Sequence, residues 1–195
     1  RSEPVRREQR KKVNTAETDR QQVVQYKNNS TTAQHDLDQG QPHSESEVRE
    51  LRFYLQRDAP VVDAPSIGER MEERLQAIGI YTVEDLLNAD TEEVAGELDH
   101  RRVDADTVLQ WQQQTTLVCC VPMLRGHDAQ LLVAAEVQTP EDLANSDAED
   151  LFGIIEPIAL SNEGKRILRG GKLPDLDEVT DWINFAQHTR ELRAA

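Results

Sequence analysis

Apolar positions set a helical rhythm over most of the chain. Ile67, Met71, Leu75 and Ile78 recur every three or four residues, which places them on one face of a helix. Val108, Trp111, Thr115 and Val118 repeat the spacing, and so do Val179, Trp182, Ile183 and Ala186. Further upstream Val48, Leu51, Tyr54 and Leu55 share a face, and Ser44 stands three residues before Glu47, the spacing of a capping box. A helix over residues 44–58 is therefore expected. The run DAPVVDAP should end it, because Pro60 and Pro65 disfavour helical geometry in the residue before each.

From Pro65 the pattern is written twice. Residues 65–92 laid without gaps on 122–149 share ten identities in 28 positions, among them Leu75/Leu132, Thr82/Thr139, Asp85/Asp142 and Asp90/Asp147. Chance at ordinary amino-acid frequencies gives roughly two, so an internal duplication is the simplest account. Each copy reads as a helix, a tight turn and a second short helix. Gly79 suits the left-handed residue that closes the first helix. Thr82 is expected to cap a helix over Val83 to Asn88, and Thr139 its counterpart, with Pro140 at the first helical position where its missing N–H costs nothing. Asp90 and Asp147 are expected caps for the next helix, and Asp104 and Asp175 for the two tryptophan helices. The tryptophans lie 71 residues apart rather than 57, so the second copy holds an extra segment, SNEGKRILRGGKLP, before its last helix. The expected fold is all-α. Two pseudo-repeated halves (65–118 and 122–190) should pack through their tryptophan helices as one domain over 64–190, with the helix 44–58 in front.

Composition changes this picture at the N-terminus. Residues 13–43 hold six Gln and few apolar side chains, too little buried surface to offset the entropy of ordering them, so residues 1–43 are expected to be a disordered polar tail. Charge is unevenly distributed. The net charge is −15 overall, yet residues 1–43 carry eight basic against six acidic side chains, leaving +2 there and −17 on the rest. A surface this acidic repels polyphosphate at long range. Cys119 and Cys120 are adjacent in an apolar stretch, which reads as buried reduced thiols and favours a reducing, cytoplasmic setting. That stretch is too short to span a bilayer, and no membrane association is expected. A chain beginning at Arg1 reads as part of a larger protein.

Loop, helix, tight turn and capped helix, repeated, resembles the helix-hairpin-helix architecture. More narrowly, PSIGERMEERLQAIGIYTVEDLL, VPMLRGHDAQLLVAAEVQTPEDLA and LPDLDEVTDWINFA are similar to the start, the degenerate second copy and the closing helix of a bacterial domain-of-unknown-function family, number 4332. The resemblance implies a helical, SAM-domain-like module. It implies no activity, and kinship with DNA-binding hairpins is fold-level analogy.

Candidate contacts follow from the turns. A phosphate-binding hairpin aims backbone N–H groups from a Gly-x-Gly turn at the positive end of a helix, helped by a nearby cation. Here the first turn reads Ser66-Ile67-Gly68, with Arg70 at the basic position, but Glu69 satisfies the helix dipole and competes with any anion. The second turn reads Met123-Leu124-Arg125 with Gly126 displaced, leaving Arg125 and His127 as its positive character. The extra segment adds a basic island, Lys165, Arg166, Arg169 and Lys172. It reads either as a solvated face near a helix C-terminus or as a docking surface for an acidic partner or a phosphate.

No catalytic constellation is visible. Five histidines are scattered without metal-ligand spacing, and there is no Walker loop, HExxH or Gly-x-Ser-x-Gly. No cofactor or metal is expected. The expected function is a non-enzymatic interaction module within a larger protein, with a protein partner or a neighbouring domain. The alternative is weak nucleic-acid binding through the first hairpin and the basic island. The sequence leaves oligomeric state open.

Overall fold

The computed structural model describes residues 51–192. The disordered tail expected at 1–43 lies outside the described residues. These residues form nine α-helices and no strand; one isolated bridge joins Pro60 to Thr82. The helices are α1 (Glu69–Ala77), α2 (Val83–Asn88), α3 (Thr91–Leu98), α4 (Ala105–Cys120), α5 (Gly126–Ala134), α6 (Pro140–Ala144), α7 (Ala148–Leu160), α8 (Asn162–Leu168) and α9 (Leu176–Ala186).

Local chemistry places most of the boundaries. Thr82 Oγ1 accepts the Asp85 N–H at 3.1 Å, and Asp85 Oδ2 accepts the Thr82 N–H at 2.9 Å, a complete capping box. Thr139 and Asp142 form the same pair at 3.0 and 3.1 Å, with Pro140 at the start of α6. Asp90, Asp104, Asp147 and Asp175 each accept backbone N–H groups at the helix starts they precede. These bonds hold several carboxyls below their ordinary range. For Asp85 the main cause is the Thr82 N–H, for Asp104 the Thr107 hydroxyl, and for Asp175 the Lys172 ammonium. Four non-helical hinges have positive φ in pairs 57 residues apart, Ser66 (66°) with Met123 (59°) and Gly79 (91°) with Glu136 (65°). The starts of α1, α2 and α3 precede those of α5, α6 and α7 by the same interval.

The core is one cluster of aliphatic side chains and both tryptophans. The C-terminal half of α4 is buried on nearly every side, Leu117, Val118, Cys119 and Cys120 included, so α4 is the central strut. It packs on α2 and α3 on one side and most extensively on α5 on the other, while α9 packs on α6 and α7. The expectation that the tryptophan helices join the halves fits α4, which meets α5 of the second half, and is corrected for α9, which packs on α6 and α7 of its own half. Val108, Trp111 and Val118 are buried as expected, and so are Val179, Trp182 and Ile183.

A second correction concerns residues 51–58, which are not helical. Residues 44–50 of that expected helix lie outside the described residues. Of the described positions of the expected apolar face only Leu55 is buried, while Leu51 and Tyr54 are exposed. The backbone here bonds to distant elements instead. The Arg52 carbonyl accepts the Met123 N–H at 2.7 Å, the Arg57 carbonyl accepts Glu84 N–H at 2.8 Å, and the Ala59 carbonyl accepts Val83 N–H at 2.9 Å. Arg190 fastens the strap from the other end of the chain. Its guanidinium donates to the carbonyls of Cys119 and Leu55 at 2.6 and 2.7 Å, and lies 4.2 Å from the centre of the Phe53 ring. Among the described residues no helix is long and apolar enough to cross a membrane.

Candidate functional site

Helix α1 and helix α5 each follow a turn, and the two turns abut. A Cβ on Gly126 would stand 3.6 Å from Cγ of Pro65, ordinary van der Waals contact. Ser66 adopts its left-handed φ at the exposed crest of the first turn, and its hydroxyl donates to Oε1 of the buried Gln114 at 2.7 Å. That bond ties the turn to α4 and helps a non-glycine residue tolerate the conformation.

Helix α8 closes over these turns. Ser161 caps it, its hydroxyl accepting the Gly164 N–H at 3.0 Å. Gly164 allows the approach. A Cβ there would fall 2.2 Å from the Ile158 carbonyl oxygen and 2.5 Å from Ala159 Cα, so α8 could not lie so close to the end of α7 with any side chain at 164. The result is a groove of about 710 Å³ lined by Ser66, His127, Gln130, Arg166 and Arg169, with Val62, Ile67 and Ile167 interleaved.

On the other side of His127 lies a cleft of about 530 Å³, lined by Arg125, Lys172 and a set of acids including Asp128, Asp175, Glu178 and Asp181. Here each cation is answered. Lys172 Nζ is 2.6 Å from Asp175 Oδ2, which raises the lysine's pKa, and an Arg125 nitrogen is 3.9 Å from Glu178. Asp128 is buried. Its carboxylate accepts the Arg125 N–H at 3.0 Å and lies 3.2 Å from His127 Nε2, yet burial pushes its pKa above the usual carboxylate range.

The sequence-predicted contacts therefore sort into three sets. Ser66, His127, Arg166 and Arg169 share the groove, and Arg125, His127 and Lys172 share the acidic cleft. Gly68, Arg70 and Lys165 line neither. Arg166 and Arg169 are exposed and make no ion pair among the described residues, and Glu163, one helical turn before Arg166, does not reach it. Lys165 and Arg166 occupy the last turn of α8, where cations suit the helix dipole.

Sequence reasoning missed Gln114, Gln130, Asp128 and Gly164. Only Asp128 left a trace: the 57-residue offset sets it against Met71, a carboxylate at an apolar position of the helical pattern. Among the described residues no three His, Cys, Asp or Glu side chains are grouped to hold a metal. Cys119 and Cys120 are buried free thiols, and burial raises them to about 12 and about 11, far from the thiolate.

The model of the family described as Domain of unknown function (DUF4332) matches residues 65–189, and the chain belongs to that family. No curated protein and no solved structure matches the chain.

Proposed function

We propose that this DUF4332 member is a non-enzymatic interaction module whose partner, a protein or a flanking domain of a larger chain, is engaged at the groove between the two turns and α8. In this reading the fold is a duplicated helix-hairpin-helix-like unit, and the extra segment of the second copy builds the third wall of the groove. The carrying observation is the convergence around one groove of Ser66, His127, Arg166 and Arg169, far apart in sequence, the two arginines without an ion pair among the described residues. An exposed, uncompensated pair of guanidiniums beside aliphatic side chains in a molecule of charge −15 has little value for stability. It suits recognition, where arginine combines charge, planar hydrogen bonding and apolar contact.

A photo-crosslinker tests this when placed at Gln130, in the groove, and at Glu97, an exposed position on α3. Position 130 should crosslink a discrete protein or flanking domain, and Arg166→Glu with Arg169→Glu should abolish the product. Identical products from both positions, or none from 130, would contradict the reading.

Nucleic-acid binding is the second reading. It draws on the basic island and on Gly68 and Arg70 at the start of α1, both exposed, Arg70 without an ion pair among the described residues. Glu69 and Glu72 occupy the same first turn, and the surrounding field is negative. Duplex DNA affinity is expected to be weak and to vanish by about 200 mM salt. Tight binding at that salt, abolished by Arg70→Glu, would favour the second reading over the first.

A further inference from the structure

We infer that the groove's occupant is an acidic, partly aliphatic peptide segment whose carboxylates pair with Arg166 and Arg169. The inference rests on the interaction-module reading above and names the partner's chemistry. Three observations converge on it.

The first is contrast. Arg125 and Lys172 face carboxylates in the neighbouring cleft, whereas among the described residues Arg166 and Arg169 meet none within ion-pair distance. An arginine pair left open by the acid-rich folded residues around it is available to a partner's carboxylates, which guanidinium groups bind in a bidentate manner. The second is the lining, where Val62, Ile67 and Ile167 stand among the polar residues. Such a surface takes carboxylates and aliphatic groups at short spacing, as an extended peptide presents them.

The third observation decides between peptide and nucleic acid. Glu163 lies in the groove itself, and Glu69 and Glu72 open the helix that leads away from it. A peptide can place its few acids on the arginines alone. A nucleic-acid strand carries a charge at every phosphate and must run past those carboxylates into a negative field.

The test is selection of displayed random dodecapeptides on the full chain, followed by anisotropy titration of the enriched sequences. Acid-rich peptides with aliphatic neighbours should dominate. Arg166→Glu with Arg169→Glu should weaken them on the order of tenfold or more and turn the selection towards basic peptides. Arg101→Glu with Arg102→Glu makes the same charge change at exposed positions that do not line the groove and should leave affinity within about twofold. Where charge reversal disturbs α8, seen as lost helical circular dichroism, Arg166→Gln with Arg169→Gln takes its place and should still weaken binding severalfold. Enrichment of neutral peptides, acidic peptides indifferent to the arginines, no enrichment at all, or displacement of the peptides by duplex DNA would each overturn the inference. Neutral peptides that crosslink at position 130 would leave the module reading intact, whereas a silent position 130 removes that reading itself.

Discussion

Gly164 sits where the chain turns from α7 into α8, and its missing Cβ sets how closely the two helices meet. Gly164→Ala should destabilise the protein by about 2–3 kcal/mol through overpacking against backbone that has no rotamer to yield. Urea denaturation reads this as a lowered midpoint; an unchanged midpoint would mean that α8 is not seated on α7. Nothing local announces this glycine, since the contact is tertiary and falls within the extra segment SNEGKRILRGGKLP. Glu136 is the opposite case. It holds φ of 65° at the close of α5, where Gly79 serves α1, and it is exposed. Glu136→Gly should raise stability by about 1 kcal/mol, or roughly 3 °C in Tm, while Gly79→Ala should lower it by a similar amount.

Asp128 makes a pH prediction whose sign differs from that of the caps. Its raised folded pKa means that its contribution is fully present below the unfolded value of 3.8 and is lost as pH rises through the folded value. Asp85, Asp104 and Asp175 are lowered, so theirs is present above 3.8 and lost as pH falls through their folded values. Asp128→Asn should therefore compare better with the wild type at pH 7 than at pH 3.5, measured by urea denaturation at both. The reverse order would show that Asp128 acts as an ion-pair partner of His127 rather than as a buried acid.

At the scale of elements, the helices that the sequence announces are those with local chemistry at their ends. The starts of α2, α4, α6, α7 and α9 carry Thr or Asp caps that bond within three residues, and such signals survive in a sequence. Thr82→Ala and Thr139→Ala should each cost about 1 kcal/mol, in line with the loss of one capping oxygen. A cost confined to Thr82 would argue against equivalent roles for α2 and α6. Residues 51–58 were not legible, because distant partners of their backbone lie at 84, 123 and 190. Helical spacing was present at 51 and 55, but tertiary hydrogen bonding overrode it there. The contact surface was legible in part. Arg166 and Arg169 stood out as a basic island, but no local signal brings them to Ser66 and His127 or sets Lys172 apart against Asp175.

For the whole molecule, the strap extends the folded unit beyond the family match at 65–189. Leu55, Val61 and Ala64 precede that match and are buried in the same core, and Arg190 follows it. A fragment of residues 65–189 should accordingly unfold at a markedly lower temperature than residues 51–192, and Arg190→Ala should move the longer chain in the same direction. Equal stability of the two fragments would show the strap to be ornamental. With the strap in place, one core carries the turns and α8, and on the proposed reading the arginine-lined groove meets its partner preorganised.

Backbone amide shifts in a nitrogen-15 spectrum, followed while the protein or flanking domain captured through position 130 is added, test this most directly. Shifts should concentrate at residues 62–67, 126–130 and 163–169, leaving the start of α1 and the exposed Ile154 and Leu160 of α7 unmoved. Shifts centred on Gly68 and Arg70, or on the α7 surface with the groove silent, would contradict the account.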